Sequence, residues 1–277
     1  MKNNIKQKLW RLLGSMLIAS IQTTLIFAED LDWPMHGLNA QESRFSPIKQ
    51  IHADNVSELG LAWAKKLSTI RGIEATPLVI DGTLYYSLPW SVVQATDGIS
   101  GATLWTWNPG VDKAVWGRKA CCDVVNRGVQ PYRDSVYLAT LDSHLVRLAN
   151  STGEVLFDVA VGDYTYAETS TIMPMALKGS LIQGTAGAEY GVRGWVRALS
   201  ADDGSVVWNT YTIPAEGEPN VDTWAGESWK YGGGSGWITG SYDKDLEIYN
   251  EYVTLFMNKV RSQGDMSLIG SINEIIN

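Results

Sequence analysis

Ala95-Thr-Asp-Gly-Ile-Ser-Gly101-Ala-Thr-Leu-Trp105, Leu148-Ala-Asn-Ser-Thr-Gly153-Glu-Val-Leu-Phe157 and Leu199-Ser-Ala-Asp-Asp-Gly204-Ser-Val-Val-Trp208 share one pattern. A small or apolar residue leads into a polar turn, then comes Gly, then three residues, then an aromatic ring. The glycines, and the rings four positions after them, recur at a period of about fifty residues, which marks a propeller or another repeat array. Each unit of such an array is one supersecondary element that cannot bury its apolar face alone.

Between the repeats the chain alternates strand-forming runs with turns. In Thr76-Pro-Leu-Val-Ile-Asp-Gly-Thr-Leu-Tyr-Tyr-Ser87 an Asp-Gly pair separates two β-rich runs, a strong hairpin signal. Each repeat is expected to supply one four-stranded blade, with the Gly at a turn and the Trp packed between neighbouring blades as core. About four blade equivalents are expected on this pattern, including an irregular first one around Leu61-Ala-Trp63. An open stack leaves strand edges and apolar surface in water, so a closed ring or a capped end is required.

The composition agrees. Twelve Trp, twelve Tyr and 27 Gly in 277 residues favour many short aromatic strands joined by tight turns. Residues 1–28 carry Lys2, Lys6, Lys8 and Arg11, then a largely apolar run from Leu12 to Phe27, then Ala28 before Glu29 and Asp30. That is the layout of a secretory signal cleaved near Ala28, and it implies a periplasmic product. An uncleaved anchor is the second reading; the run is short of the roughly 20 apolar residues a span needs. The whole chain has 22 basic and 30 acidic residues, a net charge of -8, and loss of the leader makes it more acidic. Nucleic acid is therefore a poor partner.

Cys121 and Cys122 are adjacent and are the only cysteines. Either they form a strained ring between neighbours or they are two buried thiols. A ring would remove little chain entropy, because its loop is minimal, so its use would be local shape. His36, His52 and His144 have no metal-like or general-base spacing, and they read as structural or surface residues.

Several strings together resemble the pyrroloquinoline-quinone (PQQ)-dependent alcohol and methanol dehydrogenases. They are Trp33-Pro-Met-His-Gly with Arg44-Phe-Ser-Pro, Glu74-Ala-Thr-Pro, Trp90-Ser-Val-Val, Cys121-Cys-Asp-Val-Val-Asn-Arg127-Gly, Gly187-Ala-Glu-Tyr-Gly-Val-Arg-Gly194 and Trp229-Lys-Tyr-Gly-Gly-Gly-Ser-Gly-Trp237. The resemblance runs from about Leu31 to Asp243. It implies an all-β quinoprotein propeller, here incomplete at about four of roughly eight blades. Residues 29–243 would be the partial cofactor-binding propeller and 244–277 a divergent tail.

A flat quinone with three carboxylates needs two stacking faces and many donors. The resemblance places Trp237 against one face and a Cys121–Cys122 ring against the other. It places Arg127 against the reactive quinone oxygens, where a fixed positive charge stabilises developing negative charge. Thr171 and Ser235 would hydrogen-bond the cofactor's edge, Gly187 and Ala188 would offer backbone donors, and Glu74 would touch the rim. Ala186 stands where other members often have Ser. Glu189 would be a ligand of calcium, a lanthanide being the other candidate, with the metal polarising the quinone carbonyl as a Lewis acid.

After Tyr242-Asp243 the family pattern breaks. The position of the next calcium-ligating Asn falls near Leu255, and the catalytic Asp has no counterpart before Asn277. Tyr249, Tyr252, Val253, Phe256 and Val260 follow a helical period, which predicts an amphipathic helix in the tail. The tail reads as the out-of-frame or shortened end of a longer gene, and little or no turnover is expected from this chain alone. The implied function is oxidation of a primary alcohol to an aldehyde, with electrons passing to a cytochrome c or quinone acceptor. A second chain would supply the missing blades. The alternative reading is a non-catalytic envelope propeller that scaffolds other proteins.

Overall fold

The computed structural model describes residues 32–113, 119–120, 122–253 and 270–275. The leader and Cys121 lie outside them, as do Leu255, Phe256 and Val260 of the tail. Among the described residues no helix is long and apolar enough to cross a membrane.

Four antiparallel sheets follow one another along the chain, as blades of an incomplete β-propeller. The first contains β1 (Leu78–Ile80), β2 (Thr83–Leu88), β3 (Val92–Asp97) and β4 (Thr103–Trp107). The second contains β5 (Gln130–Tyr132), β6 (Ser135–Ala139), β7 (His144–Ala149) and β8 (Val155–Ala160). The third contains β9 (Met175–Leu177), β10 (Ser180–Gly184), β11 (Trp195–Ser200) and β12 (Val206–Tyr211). Among the described residues the last has three strands, β13 (Ser241–Asp243), β14 (Ile248–Val253) and β15 (Gly270–Ile275).

Turn chemistry sets the register. Ile80 pairs with Thr83 across Asp81 and Gly82, which have φ of 49° and 72°. Two consecutive left-handed residues match the twist of a two-residue hairpin, as Asp-Gly predicts. Lys178 and Gly179 make the same turn in the third sheet, between Leu177 and Ser180. The repeated glycines close the turn before each outer strand. Gly101, Gly153 and Gly204 have φ of 71°, 72° and 74°, and each N–H donates to the carbonyl four residues earlier.

Those glycines also receive the ring of the preceding unit. A Cβ on Gly101 would lie 2.7 Å from the Trp63 indole, and one on Gly153 would lie 2.6 Å from that of Trp105. At Gly204 the neighbours are Phe157 and Val159. Trp63 donates its indole N–H to Gly98 O, and Trp105 donates to Asn150 O, in both cases three residues before the glycine. Phe157 has no N–H, and the equivalent carbonyl of Ala201 accepts from the Tyr137 hydroxyl at 2.7 Å.

Apolar side chains fill each gap between sheets. Val93, Ala95 and Trp105 meet Val136, Leu138 and Val146 between the first two. Tyr137 and Leu145 meet Leu181 and Trp195 between the next two. Met175, Ile182 and Val196 meet Tyr242 and Tyr249 between the last two. Each fully buried large side chain is worth about 1.5–3 kcal/mol. Exposed ion pairs such as Arg133–Asp202 are worth about 0–1 kcal/mol, so the apolar seams hold the stack.

Two expectations are corrected. Leu61-Ala-Trp63 forms no sheet among the described residues, and the fourth sheet comes instead from residues 241–275. The expected helix in the tail is replaced at Ile248–Val253 by a strand. Its cause is local and tertiary together. The Asp243 carboxylate accepts from the N–H groups of Asp245 and Leu246, a side-chain turn that reverses the chain. Tyr249 then pairs with Tyr242 and is buried against the third sheet, which outweighs a weak helical period.

The histidines have ordinary partners. His36 meets Glu42 at 2.8 Å, His144 meets Asp158 at 2.6 Å, and exposed His52 lies near Asp54.

Candidate functional site

Glu74, Arg127, Thr171 and Trp237 each lie three or four residues before the first strand of a successive sheet, at Leu78, Gln130, Met175 and Ser241. Equivalent positions on stacked blades face one axis, so residues remote in sequence converge there. Two backbone bonds and one side-chain bond stitch the four entries together. Thr76 N–H donates to Arg127 O, and Arg127 N–H donates to Thr171 O at 3.1 Å. The Thr171 hydroxyl donates to Trp237 O at 3.4 Å.

A cavity of about 370 Å3 opens beside this junction. Ala120, Val125 and Ala186 give apolar wall, and Arg127, Thr169, Thr171, Glu189 and Ser235 give polar wall. Trp237, Cys122 and Asp123 complete it. Its size suits a compact aromatic ligand rather than a polymer.

Arg127 is the electrostatic centre. Its guanidinium meets Glu74 Oε2 at 2.8 Å, with the arginine side chain 17% exposed and the glutamate 43%. Burial pulls the Arg127 pKa below its ordinary value, and the Glu74 carboxylate pushes it back up. The guanidinium stays charged, so a partly desolvated cation faces the cavity with one half-exposed counter-ion. Its Nη1 donates to Thr171 O at 3.3 Å, and its Cζ lies 4.6 Å from the centre of the Trp237 ring.

The loop after β10 supplies Ala186 and Glu189 to the lining, and Ala186 N–H donates to Thr169 O at 2.8 Å. Gly187 has φ of 100°, and a Cβ there would lie 2.1 Å from Ala167 O. Only glycine fits, and that close approach turns Ala186 and Glu189 toward the cavity. Gly184 and Gly194 do the same for the neighbouring strand run. Added Cβ atoms would lie 2.2 Å from Gly236 O and 1.9 Å from Gly234 O, so the bare backbones let residues 234–236 pack down and carry Trp237 into place.

Of the residues singled out in the sequence, Cys122, Arg127, Thr171, Ala186, Glu189, Ser235 and Trp237 line the cavity. Gly187 and Ala188 lie behind that wall, and the Ala188 N–H is used by the Ser235 hydroxyl at 3.0 Å. Accepting there leaves the buried Ser235 its own proton to donate. Glu74 stands behind Arg127, in a second, polar cavity shared with His36, Glu42 and Arg44. Cys121 is outside the described residues, and no free cysteine occurs among those described.

Ala120, Asp123, Val125 and Thr169 were missed in the sequence reading. Thr169 was accessible to it, because residues two apart in an extended run share a face with each other, here with Thr171. Asp123 has φ of 68° and pairs with Arg71, 52 residues earlier, which no local pattern announces. Among the described residues no group of three or more His, Cys, Asp or Glu gathers as a metal site.

Comparison with known families decides the identity. Residues 33–253 match the family described as PQQ: glucose/ethanol/alcohol dehydrogenase, β-propeller domain. The chain belongs to that family. The PQQ dehydrogenase relatives include quinohemoprotein alcohol dehydrogenase ADH IIB of Pseudomonas putida, 44% identical over 230 residues, 78% of this chain and 33% of the relative. The quinohemoprotein alcohol dehydrogenase of Comamonas testosteroni is 40% identical over 260 residues, 87% of this chain and 36% of the relative. Among solved structures, that of ADHIIG from Pseudomonas putida HK5 superposes with a TM-score of 0.76 at 38% identity, over 82% of this chain and 35% of that one. A europium-containing methanol dehydrogenase gives 0.76 at 33% identity, over 81% of this chain and 42% of that one. The chain thus spans about a third of the length of the first curated relatives it matches.

Proposed function

We propose that this chain forms the cofactor-binding part of a quinoprotein alcohol dehydrogenase, holding PQQ in the cavity between Trp237 and Cys122. The observation that carries it is Arg127 set against the Trp237 indole beside buried hydroxyls. A flat tricarboxylate needs a cation, hydroxyl donors and an aromatic face, and these are the side chains that meet there. The fit is chemical as well as spatial. Arg127 has one half-exposed counter-ion in Glu74, and buried Ser235, which accepts from the Ala188 N–H, keeps its own proton to give.

Bound there, the quinone supplies two-electron oxidation of an alcohol to an aldehyde. Trp237 excludes water and orients the plane. Arg127 fixes positive charge at the acidic edge or the reactive oxygens, already arranged and at no reorganisation cost. Ser235 would hold the rim by donating its hydroxyl proton, and Thr171 would do so on giving up its bond to Trp237 O. Glu189 offers one carboxylate to calcium, or to a lanthanide, whose other oxygens must come from further groups, because calcium takes six to eight. A lanthanide-dependent methanol dehydrogenase among the relatives keeps that choice open.

The absence of a free cysteine among the described residues supports a Cys121–Cys122 ring covering the other cofactor face. The leader-like residues 1–28 support export to the periplasm, an oxidising compartment where such a ring persists. A primary alcohol is the proposed substrate and a cytochrome c or a quinone the electron acceptor. One relative is named as a 1-butanol dehydrogenase linked to cytochrome c.

Titrating PQQ with calcium into the purified chain tests the reading. Saturable quenching of tryptophan fluorescence is expected, weakened about tenfold or more in Arg127→Ala, the usual cost of removing one partner of a charged contact. Equal quenching in both proteins would remove the basis for the site.

A further inference from the structure

Residues 122–127 carry much of the cavity lining, with Cys122, Asp123, Val125 and Arg127 all part of it. One end of this stretch has a buried anchor. Asn126 is 2% exposed, its side-chain amide donates to Ala139 O in β6 at 2.8 Å, and its side-chain oxygen accepts from Gly128 N–H at 3.1 Å. The other end is held from the first sheet and the segment before it. Arg71 pairs with the Asp123 carboxylate, and Trp90 N–H donates to Val124 O at 3.0 Å. The Arg71 guanidinium also lies 5.5 Å from the centre of the Trp90 ring.

This second anchor is built from strained backbone. Trp90, Ser91 and Asp123 have φ of 70°, 58° and 68°, in the left-handed region that residues with a Cβ avoid. A bulky residue stays there only where its surroundings over-determine it, and such positions gather at ligand clamps. Ser91 is fully buried, and its hydroxyl accepts from Leu141 N–H at 2.9 Å, which fixes the turn that presents Trp90. Asp123 puts a carboxylate in the wall of a cavity read as taking a tricarboxylate, so on its own it would repel that ligand. Arg71 supplies the opposing charge. Arg71 and Trp90 line a separate cavity of about 900 Å3, so Arg71 acts on the first cavity through Asp123.

We propose that Arg71 is a positioning residue of the cofactor site: its pair with Asp123, backed by Trp90, clamps residues 122–124 in the cavity wall and slows release of the cofactor. The clamp rests on the reading that this cavity holds PQQ. The paired side chains are 39% and 40% exposed, and a pair exposed to that degree adds little to global stability. Its effect falls on local opening of the wall, which costs less than unfolding and is the motion a departing ligand needs.

Two measurements on the full chain test it. Stopped-flow tryptophan fluorescence gives the rate at which PQQ leaves in the presence of calcium, and amide hydrogen exchange without cofactor reports on the Trp90 N–H that bonds Val124 O. Asp123→Asn removes the charge but tolerates the left-handed φ. Arg71→Met keeps the stem and removes the charge, and Arg71→Lys restores it. Both uncharged variants are expected to release PQQ about fivefold faster and to exchange the Trp90 amide about fivefold faster, the most that an exposed pair commonly contributes. Arg71→Lys should stay within about twofold of wild type, because the pair survives. Amides of β3 and the urea midpoint should not move. Should Arg71→Met misfold, Asp123→Asn still decides. Slower release from Asp123→Asn would mean that this carboxylate only repels the ligand, and would overturn the clamp. So would unchanged Trp90 exchange in the uncharged variants, or an Arg71→Lys variant as fast as Arg71→Met. Wild-type protein that binds no PQQ would sink the cofactor reading, while Trp90 exchange and its rescue by lysine would still decide whether Arg71 holds the wall.

Discussion

The guanidinium of Arg127 lies 4.6 Å from the centre of the Trp237 ring, although 110 residues separate them, and the same guanidinium pairs with Glu74 at 2.8 Å. One side chain thus ties the entries of the first, second and fourth sheets. Arg127→Lys is expected to keep the charge but lose the flat fork that rests on the indole. PQQ affinity should fall by about threefold, less than in Arg127→Ala, when measured by fluorescence titration. Equal losses in the two variants would mean that charge counts for nothing here.

Ala186 lines the cavity with a methyl group. Ala186→Ser should tighten PQQ binding about fivefold, the equivalent of one net hydrogen bond near 1 kcal/mol. A change of tenfold in the opposite direction would show that this wall does not face the ligand.

Gly184→Ala acts at a distance. The added Cβ would lie 2.2 Å from Gly236 O, and backbone cannot swing aside as a side chain can. The segment carrying Ser235 and Trp237 must shift. Overpacking of this kind costs about 1–3 kcal/mol, and PQQ binding should be lost more completely than thermal stability. Wild-type affinity in this variant would show that the close approach is not what positions Trp237.

Gly153→Ala tests the seams. Its left-handed φ of 72° and the Trp105 ring at 2.6 Å both oppose a side chain. About 1–2 kcal/mol from the backbone and a similar amount from overpacking are expected, read as a lower urea midpoint and a red shift in tryptophan emission. Gly82→Ala has the same φ and nothing within 4 Å, so it should show the backbone part alone.

Acid should loosen the turns of the repeats. Hydrogen bonds from Ser100 hold Asp97 below the usual carboxylate range, and those from Ser205 do the same for Asp203. A carboxylate depressed in the folded state adds stability that is present above its unfolded value near ~3.9 and is lost as pH falls through the folded value. Replacing both with Ala should flatten the dependence of the urea midpoint on pH below about pH 4. An unchanged acid limb would assign acid sensitivity elsewhere.

Much of the blade architecture is written locally. Asp-Gly at 81 and 82 specifies a left-handed hairpin turn, and the glycines at 101, 153 and 204 specify the turn before each outer strand. Positive φ is a property of one or two residues, so these are readable without neighbours. The repeated ring four residues after each glycine is equally legible, because its partner is the same device in the next unit. The long strings around Arg127 and Glu189 were sufficient to select the family and most of the cavity wall.

What stacking alone decided are the relations between repeats. Tyr249 sits on a helical period in sequence, yet burial against Val196 and Ala198 makes it a strand residue. The pairing of Asp123 with Arg71, and the use of the Ala188 N–H by Ser235, depend on loops from different blades meeting at one axis. The docking of Trp63 on Gly101, 38 residues later, is visible only in the folded stack. Local φ preferences and short periods act over a few residues and are encoded where they act. Which loops converge is settled by apolar seams that form only when whole sheets pack, and no short stretch of chain carries that information.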